Sequence, residues 1–367
     1  MILAIVLFII LLLYCVAILF LIYGFTKINT PDFIGLTPKT KFSIIVPFRN
    51  EGQNLPVLLT SLSKLNYPID LFKVILVDDD SEEKFEVAGF QFEVSIIDTV
   101  RISTSPKKDA ITTAMQLVTS DWIVTTDADC KVPNNWLLSL DNYIQTHDVA
   151  MIAGSVTYEC NDSFLHHFQQ LDLASLQGAT IGSFGINKGF MCNGANFAYT
   201  KSFFQKLNGF DGNNTIASGD DVFLLQKAIA KSPEKVHYLK SPNHIVTTKP
   251  VNKWKSLFYQ RVRWASKTSS YQSTFGKGLG LLVFVGNLSW LFILGLWLFG
   301  FASLLTVILT VVLKFTVDTI LIYKTNNFLT QNKIRYLILS SFFYPFFSVS
   351  VALYSLFGKY EWKGRKF

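Results

Sequence analysis

Residues 2 to 25 contain no charged side chain. As a helix they would extend about 36 Å, enough to cross the hydrocarbon core of a bilayer. A second apolar block runs from 279 to 323, broken only by Lys314 and Asp318, and a third from 337 to 357. An apolar excess confined to the two ends cannot be buried in one soluble core. It calls for lipid around the ends and a globular domain from the middle. A cleaved leader would want a basic start, a shorter apolar core and a small-x-small cleavage site. None is clear, so residues 1–26 read as an uncleaved anchor. The second block is long enough for two passes meeting near Gly300, and Pro345 interrupts the third. Three crossings after a cytosolic domain would place the basic tail outside, against the positive-inside bias. Residues 279–357 are therefore expected to hold two or three spans. Residues 301–323, with their two charges, are the segment expected to lie in the interface.

Half of the 367 residues are hydrophobic, and the formal net charge is +7. Much of the positive excess flanks the apolar blocks: Lys249, Lys253, Lys255, Arg261, Arg263 and Lys267, then Lys359, Lys363, Arg365 and Lys366. That placement suits an anionic cytoplasmic leaflet. No basic-aromatic motif stands apart from the membrane, so nucleic acid is not an expected partner. Cys15, Cys130, Cys160 and Cys192 are far apart and form no C-x-x-C, which implies no disulfide or thiolate-metal framework and fits a reducing compartment. The five histidines show no metal-ligand spacing.

Between the ends, strand-like runs alternate with helical patterns. Lys41–Pro47, Phe72–Val77, Phe92–Ile97 and Trp122–Thr125 are short and apolar. Gln53–Leu65, Asp109–Val118 and Val222–Ala230 carry helical spacing. This alternation predicts an α/β fold, with a mostly parallel sheet, helices on both faces and ligands at the carboxyl edge. The expected division is 1–26 anchor, 27–40 linker, 41–248 α/β domain, 249–278 basic aromatic interfacial segment, 279–357 membrane region and 358–367 basic tail.

Polar residues gather where these strands stop. Pro47, Arg49, Asn50 and Glu51 follow the first; a strand stop with Asn50 as helix cap is the plainer account. Asp78, Asp79 and Asp80 follow the second, and three adjacent carboxylates need donors if they are to be buried. Asp127 and Asp129 follow the fourth, on one side of an extended segment. Such hard oxygen ligands suit Mg²⁺ or Mn²⁺ with positions open for diphosphate. Asp220-Asp221 opens a helix, where a carboxylate can serve as general base or merely as a cap.

In order and spacing, V-P-F-R-N-E at 46–51, V-D-D-D-S at 77–81, T-D-A-D-C at 126–130, G-D-D at 219–221 and Q-R-V-R-W at 260–264 resemble family 2 glycosyltransferases. These are membrane-bound GT-A enzymes that include cellulose, chitin and hyaluronan synthases and ceramide glucosyltransferases. The resemblance spans roughly residues 40–270 and implies a metal-dependent hexosyltransferase with a nucleotide-sugar donor. It puts Pro47, Arg49, Glu51, Asp79 and Asp127 at the donor, with Asp79 on the uracil. Lys107 and Lys108 precede a helix starting near Asp109; Lys108-Asp109-Ala110-Ile111 resembles the family's K-x-x-A segment, which adds Lys108 to the donor set, with an exposed charge pair as the alternative. Asp129 becomes the metal ligand and Asp221 the catalytic base. Asn193, Gly194, Asp220, Gln260, Arg263 and Trp264 fall to the sugar and acceptor. Two departures stand out: Asp80 replaces a small residue or Gly, and Asp220 replaces Glu. The ending Trp362-Lys363-Gly364-Arg365 is similar to a W-x-G-R tail of some lipid glycosyltransferases.

The resemblance implies an inverting transferase using a UDP-sugar and a lipid or lipid-linked acceptor at the cytosolic face of an inner or plasma membrane. The alternatives are a processive polysaccharide synthase and a non-catalytic nucleotide-binding partner of a synthase or exporter. Intact aspartates at all three sites speak against the last. A D-x-D phosphatase would need a nucleophilic Asp at the end of the first strand, where Pro47 stands.

Overall fold

A computed structural model describes the chain except residues 1, 32–34, 214–215, 217, 359–360, 363–364 and 367, with backbone only for residues 2, 4, 361–362 and 365–366. In chain order, the first elements are α1 (Ile2–Lys27), β1 (Phe42–Phe48), α2 (Leu55–Leu62), β2 (Phe72–Asp78), β3 (Glu93–Asp98) and α3 (Pro106–Ala114). There follow β4 (Trp122–Thr125), α4 (Trp136–Thr146), β5 (Met151–Gly154), β6 (Val156–Tyr158), α5 (Phe164–Gly185), β7 (Phe197–Thr200) and α6 (Lys201–Lys206). The last are α7 (Asp220–Lys231), β8 (Val236–Leu239), β9 (Val246–Thr248), α8 (Trp254–Ser266), α9 (Thr274–Leu298), α10 (Leu304–Leu329), α11 (Leu337–Phe357) and the short pair β10 (Glu361–Trp362) and β11 (Arg365–Lys366). The chain forms two compact units: residues 29–159 with 191–249, and residues 1–28 with 160–190 and 250–367.

The first unit is built on a seven-stranded sheet in the order β3-β2-β1-β4-β7-β5-β8. The strands β3, β2, β1 and β4 are mutually parallel, and β7 runs antiparallel to both β4 and β5. β1 is apolar on both faces, as a central parallel strand must be. Phe42, Ile44, Val46 and Phe48 join Leu55, Leu58, Leu59 and Leu62 of α2 and Trp136, Leu137 and Leu140 of α4 in one core. Pro47 lacks a backbone N–H, yet it pairs only with Val77, because the β4 register stops at Ile45↔Thr125. The antiparallel β7 matters for function. Its pairing Thr125↔Phe197 carries the preceding loop to the same edge where β4 ends.

The second unit is helical. Among the described residues, four helices are long and apolar enough to cross a membrane: Ile5–Lys27, Thr274–Leu298, Leu304–Leu329 and Leu337–Phe357. The C-terminal region therefore holds three such helices. The expected break near Gly300 lies between α9 and α10, where that residue adopts φ +78°. Residues 301–323, expected in the interface, fall largely within α10, whose two charges are paired. Lys314 donates to Asp318 at 2.5 Å one turn away, and Tyr14 of α1 donates to the same carboxylate at 2.6 Å. Paired charges facing other helices are tolerated in lipid.

The expected continuous 41–248 domain is interrupted by α5, which belongs to the helical unit. α5 packs closely on α1: a Cβ on Gly182 would meet the Leu21 carbonyl oxygen at 2.3 Å. Its Asp172 binds Arg261 of α8 at 2.5 Å, with both side chains 5% exposed. Of the basic tail, Lys359 and Lys363 lie outside the described residues, as does Gly364 of the W-x-G-R ending.

Candidate active site

The carboxyl edge gathers the loops after β1, β2 and β4 and the loop before β7. After β1, the Arg49 guanidinium donates to the Asp79 carbonyl and the Asp80 carboxylate, each at 3.3 Å. Asn50 is not the helix cap. It has φ +54°, its backbone N–H donates to Ser81 Oγ, and its side-chain oxygen accepts from the Glu82 N–H at 2.9 Å. Glu51 accepts from the Asn54 side chain at 2.6 Å and caps α2 from outside through its carbonyl. The loops after β1 and β2 are thus stitched together.

The three aspartates after β2 divide their work. Asp78 is buried and structural, accepting from the Ser81 N–H and Lys84. Asp79 is buried and paired with Arg101. Asp80 has φ +64°, a left-handed conformation in which a side chain is strained. That accounts for the small residue the resemblance wants there.

Asp127 and Asp129 stand just past β4. Lys107, at the second position of α3, donates to Asp127 at 2.6 Å and lies 3.6 Å from Asp220. Burial pulls the Lys107 ammonium toward neutrality, but Asp127, Asp220 and Asp221 more than reverse this and hold it above its ordinary range. Lys108, expected at the donor, is elsewhere. It is buried, and its ammonium donates to the Asn213 and Ile216 carbonyls at 2.5 and 2.9 Å. Adjacent residues on a helix lie about 100° apart, so only one of the two lysines can face the edge. Lys107 to Ala110 also reads K-x-x-A, so the motif alone does not fix which lysine faces the edge.

The Asn193–Asn196 loop completes the cluster. The Thr125 hydroxyl donates to the Gly194 carbonyl at 2.7 Å, and the Gly194 N–H donates to Asp221 at 2.8 Å. The second Asp221 oxygen accepts from the Val222 N–H at 2.7 Å. A Cβ on Gly194 would stand 3.2 Å from both Asp220 Oδ2 and the Lys107 ammonium, a tight contact that would press on both groups. Behind the loop, buried Asn196 accepts from the Trp136 indole at 3.0 Å and donates to the Ser155 and His244 carbonyls. The single-strand view missed this support, since its partners are dispersed over 100 residues. Tyr199 is also buried nearby, its hydroxyl pushed upward by burial and by Asp220.

The sheet unit therefore brings together Asp127, Lys107, Gly194, Asp220 and Asp221, with Asn193 next to Gly194 and Asp129 two residues past Asp127 in the chain. Gln260, Arg263 and Trp264 lie in the helical unit, on α8. There Gln260 accepts from Arg261, and the Arg261 guanidinium lies 4.2 Å from the Trp264 ring centre. Arg261, unassigned from the sequence beyond its charge, is the buried centre of that motif.

The donor set fits a divalent cation in its chemistry, since the D-x-D pair offers hard carboxylate oxygens. Among the described residues no group of three or more His, Cys, Asp or Glu side chains forms a metal cage. A cation here would need oxygens from a ligand to complete its shell, as a diphosphate can supply.

Residues 43–208 match the family model described as glycosyl transferase family 2. No curated protein matches the chain. Among solved structures, the chain is similar to a mannosyltransferase, PcManGT, from Pyrobaculum calidifontis in complex with GDP-Man and Mn²⁺. The identity is 15%, the likeness covers 97% of this chain and 98% of that chain, and the TM-score is 0.56. It is also similar to residues 1–349 of S. aureus TarS in complex with UDP, at 13% identity over 89% of this chain and 96% of that chain, with a TM-score of 0.43. The first of these is a likeness of fold, of the GT-A type.

Proposed function

We propose that this chain, whose residues 43–208 belong to glycosyltransferase family 2, is an inverting transferase. It moves a sugar from a UDP-sugar to a lipid or lipid-linked acceptor at the cytosolic face of a membrane. The observation that carries this reading is that Asp127 of the D-x-D pair and Asp220 meet on Lys107, while Asp221 holds the Gly194 N–H, at one sheet edge.

In this reading Asp221 accepts the proton of the acceptor hydroxyl. The Gly194 and Val222 N–H groups hold its carboxylate in place. The acceptor oxygen bonds to the anomeric carbon as the bond to the diphosphate oxygen breaks, and configuration inverts. Lys107 turns its ammonium to the diphosphate. Asn193 and Asp220 orient the sugar, while Pro47, Arg49, Glu51 and Asp79 line the nucleoside. Asp129, with Asp127 beside it, would hold Mg²⁺ or Mn²⁺, which when bound neutralises charge on the leaving nucleoside diphosphate. The complex of the similar mannosyltransferase with GDP-Man and Mn²⁺ supports a nucleotide-sugar donor and a divalent metal. Gln260, Arg263 and Trp264 are assigned to the acceptor by resemblance. Four apolar helices support an integral membrane protein with a lipid acceptor.

The test is release of nucleoside diphosphate by the full chain in lipid nanodiscs, over a panel of nucleotide sugars with Mn²⁺ or Mg²⁺ and membrane lipid extract. Metal-dependent release from one UDP-sugar, with a single sugar added to lipid, is the expected result. A ladder of products would replace the lipid acceptor with a growing polymer. Binding without release would return the chain to a non-catalytic partner.

A further inference from the structure

The turn between α10 and α11 carries Arg335 and Tyr336, and both meet the start of α5 within the helical unit. Arg335 Nη1 donates to Asp162 Oδ1 at 2.7 Å, with side chains 51% and 81% exposed. The same oxygen lies 4.0 Å from His167 Nε2, too far for a hydrogen bond. The His167 side chain is only 10% exposed, and among the described residues its Nε2 has no hydrogen-bond partner. A buried ring nitrogen left unpaired is costly. The neighbouring His166 shows the contrast: its Nδ1 accepts from the Asn161 N–H, and its Nε2 meets Asn252 Oδ1 at 2.8 Å. Ser163 caps α5 by accepting from the His166 N–H at 3.3 Å. Asp162 therefore lies just off a helix N-terminus, where negative charge is favoured. An exposed carboxylate thus fronts a guanidinium, an unpaired imidazole nitrogen and a helix N-terminus, all of which suit a phosphate equally well.

Aromatic rings mark the level of this group. Phe164 packs against Tyr336, Trp254 and Phe343, with ring centres 5.6, 5.8 and 6.3 Å away, and the Tyr336 ring lies 5.7 Å from that of His167. Tyr336, Trp254 and Phe343 are all exposed. Exposed aromatic side chains where apolar helices end belong at the headgroup level of a bilayer. A phosphate that reaches Arg335 at that level is one carried by a lipid.

We propose that Arg335 and His167 form a site for the phosphate of an anionic phospholipid, and that Asp162 fills it as an internal substitute until the lipid arrives. The phosphate takes the Arg335 fork and approaches His167 Nε2, while Asp162 turns to water. An exposed ion pair is worth little, so the exchange costs little. Diffuse attraction of basic residues to an anionic leaflet asks only for charge. This site asks for the planar fork and the buried nitrogen as well. It stands apart from the transferase reading.

The experiment is native mass spectrometry of the full chain, released from nanodiscs of phosphatidylcholine with a minor share of phosphatidylglycerol, counting retained lipid. Wild-type protein should retain phosphatidylglycerol over phosphatidylcholine. Arg335→Ala should lower that retention roughly tenfold, and Arg335→Lys nearly as far. Lys333→Ala removes the same charge from the same turn and should change it less than about twofold. His167→Phe should lower it about threefold. Asp162→Asn should raise it about fivefold, although it breaks the same ion pair as Arg335→Ala. Retention that falls in both of those variants would make the pair a structural brace and overturn the proposal. Equal losses in Lys333→Ala and Arg335→Ala would reduce it to diffuse charge and overturn it too. So would a wild-type protein with no headgroup preference. Displacement of the lipid by soluble glycerol phosphate at equal concentration would overturn the lipid as occupant.

Discussion

In the helical unit buried charges meet one to one: Arg261 with Asp172, and Lys314 with Asp318. In the sheet unit one ammonium, Lys107, stands among Asp127, Asp220 and Asp221. Such a pair cancels its own field, and Arg261 with Asp172 also ties α8 to α5. Removing one member strands the other in a low-dielectric interior. The carboxylate cluster is different, because the loop after β4 supplies Asp127 and the start of α7 supplies Asp220 and Asp221, at the edge where strands stop. It concentrates charge at one mouth instead of cancelling it. The same residue types thus hold a scaffold in one unit and gather at one sheet edge in the other.

The sharpest way to break this contrast is at the D-x-D pair. Asp129→Ala should lower kcat/KM at least about a thousandfold, with thermal stability close to wild type. Chelation should do the same to the wild-type protein, and added Mn²⁺ or Mg²⁺ should restore it. A stable variant with full activity would remove Asp129 from the metal site. Next, Asp221→Asn should cut kcat about a thousandfold with little change in KM, read from initial rates at saturating donor. Loss through KM alone would move Asp221 from proton transfer to binding.

In the helical unit the effect should move from rate to stability. Arg261→Ala leaves Asp172 buried and uncompensated, at a cost of about 3–5 kcal/mol, seen as a large fall in thermal-inactivation temperature. Replacing both partners together, Arg261→Met with Asp172→Leu, should recover much of it. No recovery would mean that the pair does more than join α5 to α8. A smaller effect belongs to Gly194→Ala, which sets a Cβ 3.2 Å from Asp220 and Lys107. It should reduce activity about tenfold through misplacement of those groups, with little change in stability.

The smallest effect near neutral pH comes from His244. Burial lowers its pKa from 6.5 to about 4, with its bond to the Trp136 carbonyl opposing. The unfolded chain binds the proton first, so this contribution to stability is complete above about pH 6.5 and is lost as pH falls toward 4. At pH 6 it amounts to less than about 1 kcal/mol. Substituting His244→Phe should flatten the stability slope of the sheet unit between pH 6.5 and 4; an unchanged slope would place the titration elsewhere.

Much of the sheet could be read along the chain. Trp122–Thr125 forms β4 with the expected bounds, and the other three early strands differ from expectation by a residue at either end. These runs are continuous and apolar because parallel strands are covered on both faces. Two features escaped. α5 carries His166, His167, Gln169, Gln170 and Asp172, so nothing in its hydropathy assigns it to a helical unit. The polarity is matched by partners such as Asn252, Val251 and Arg261, some 80–90 residues on. The choice between Lys107 and Lys108 also escaped, because hydropathy and charge are the same for both and only the rotation of α3 separates them.

The sequence by itself determined the parts: apolar blocks at the two ends, a strand-helix alternation, and carboxylates where strands must stop. Those follow from local rules, since apolar length, period and turn chemistry act over a few residues. The tertiary structure alone decided which of these parts meet. It reversed β7 so that Gly194 reaches Asp221, and it aimed Lys107 at Asp127. It also withdrew Lys108 into backbone carbonyls and gave Asp79 to Arg101. Charges and hydrogen bonds act across space, over separations along the chain that no local pattern records.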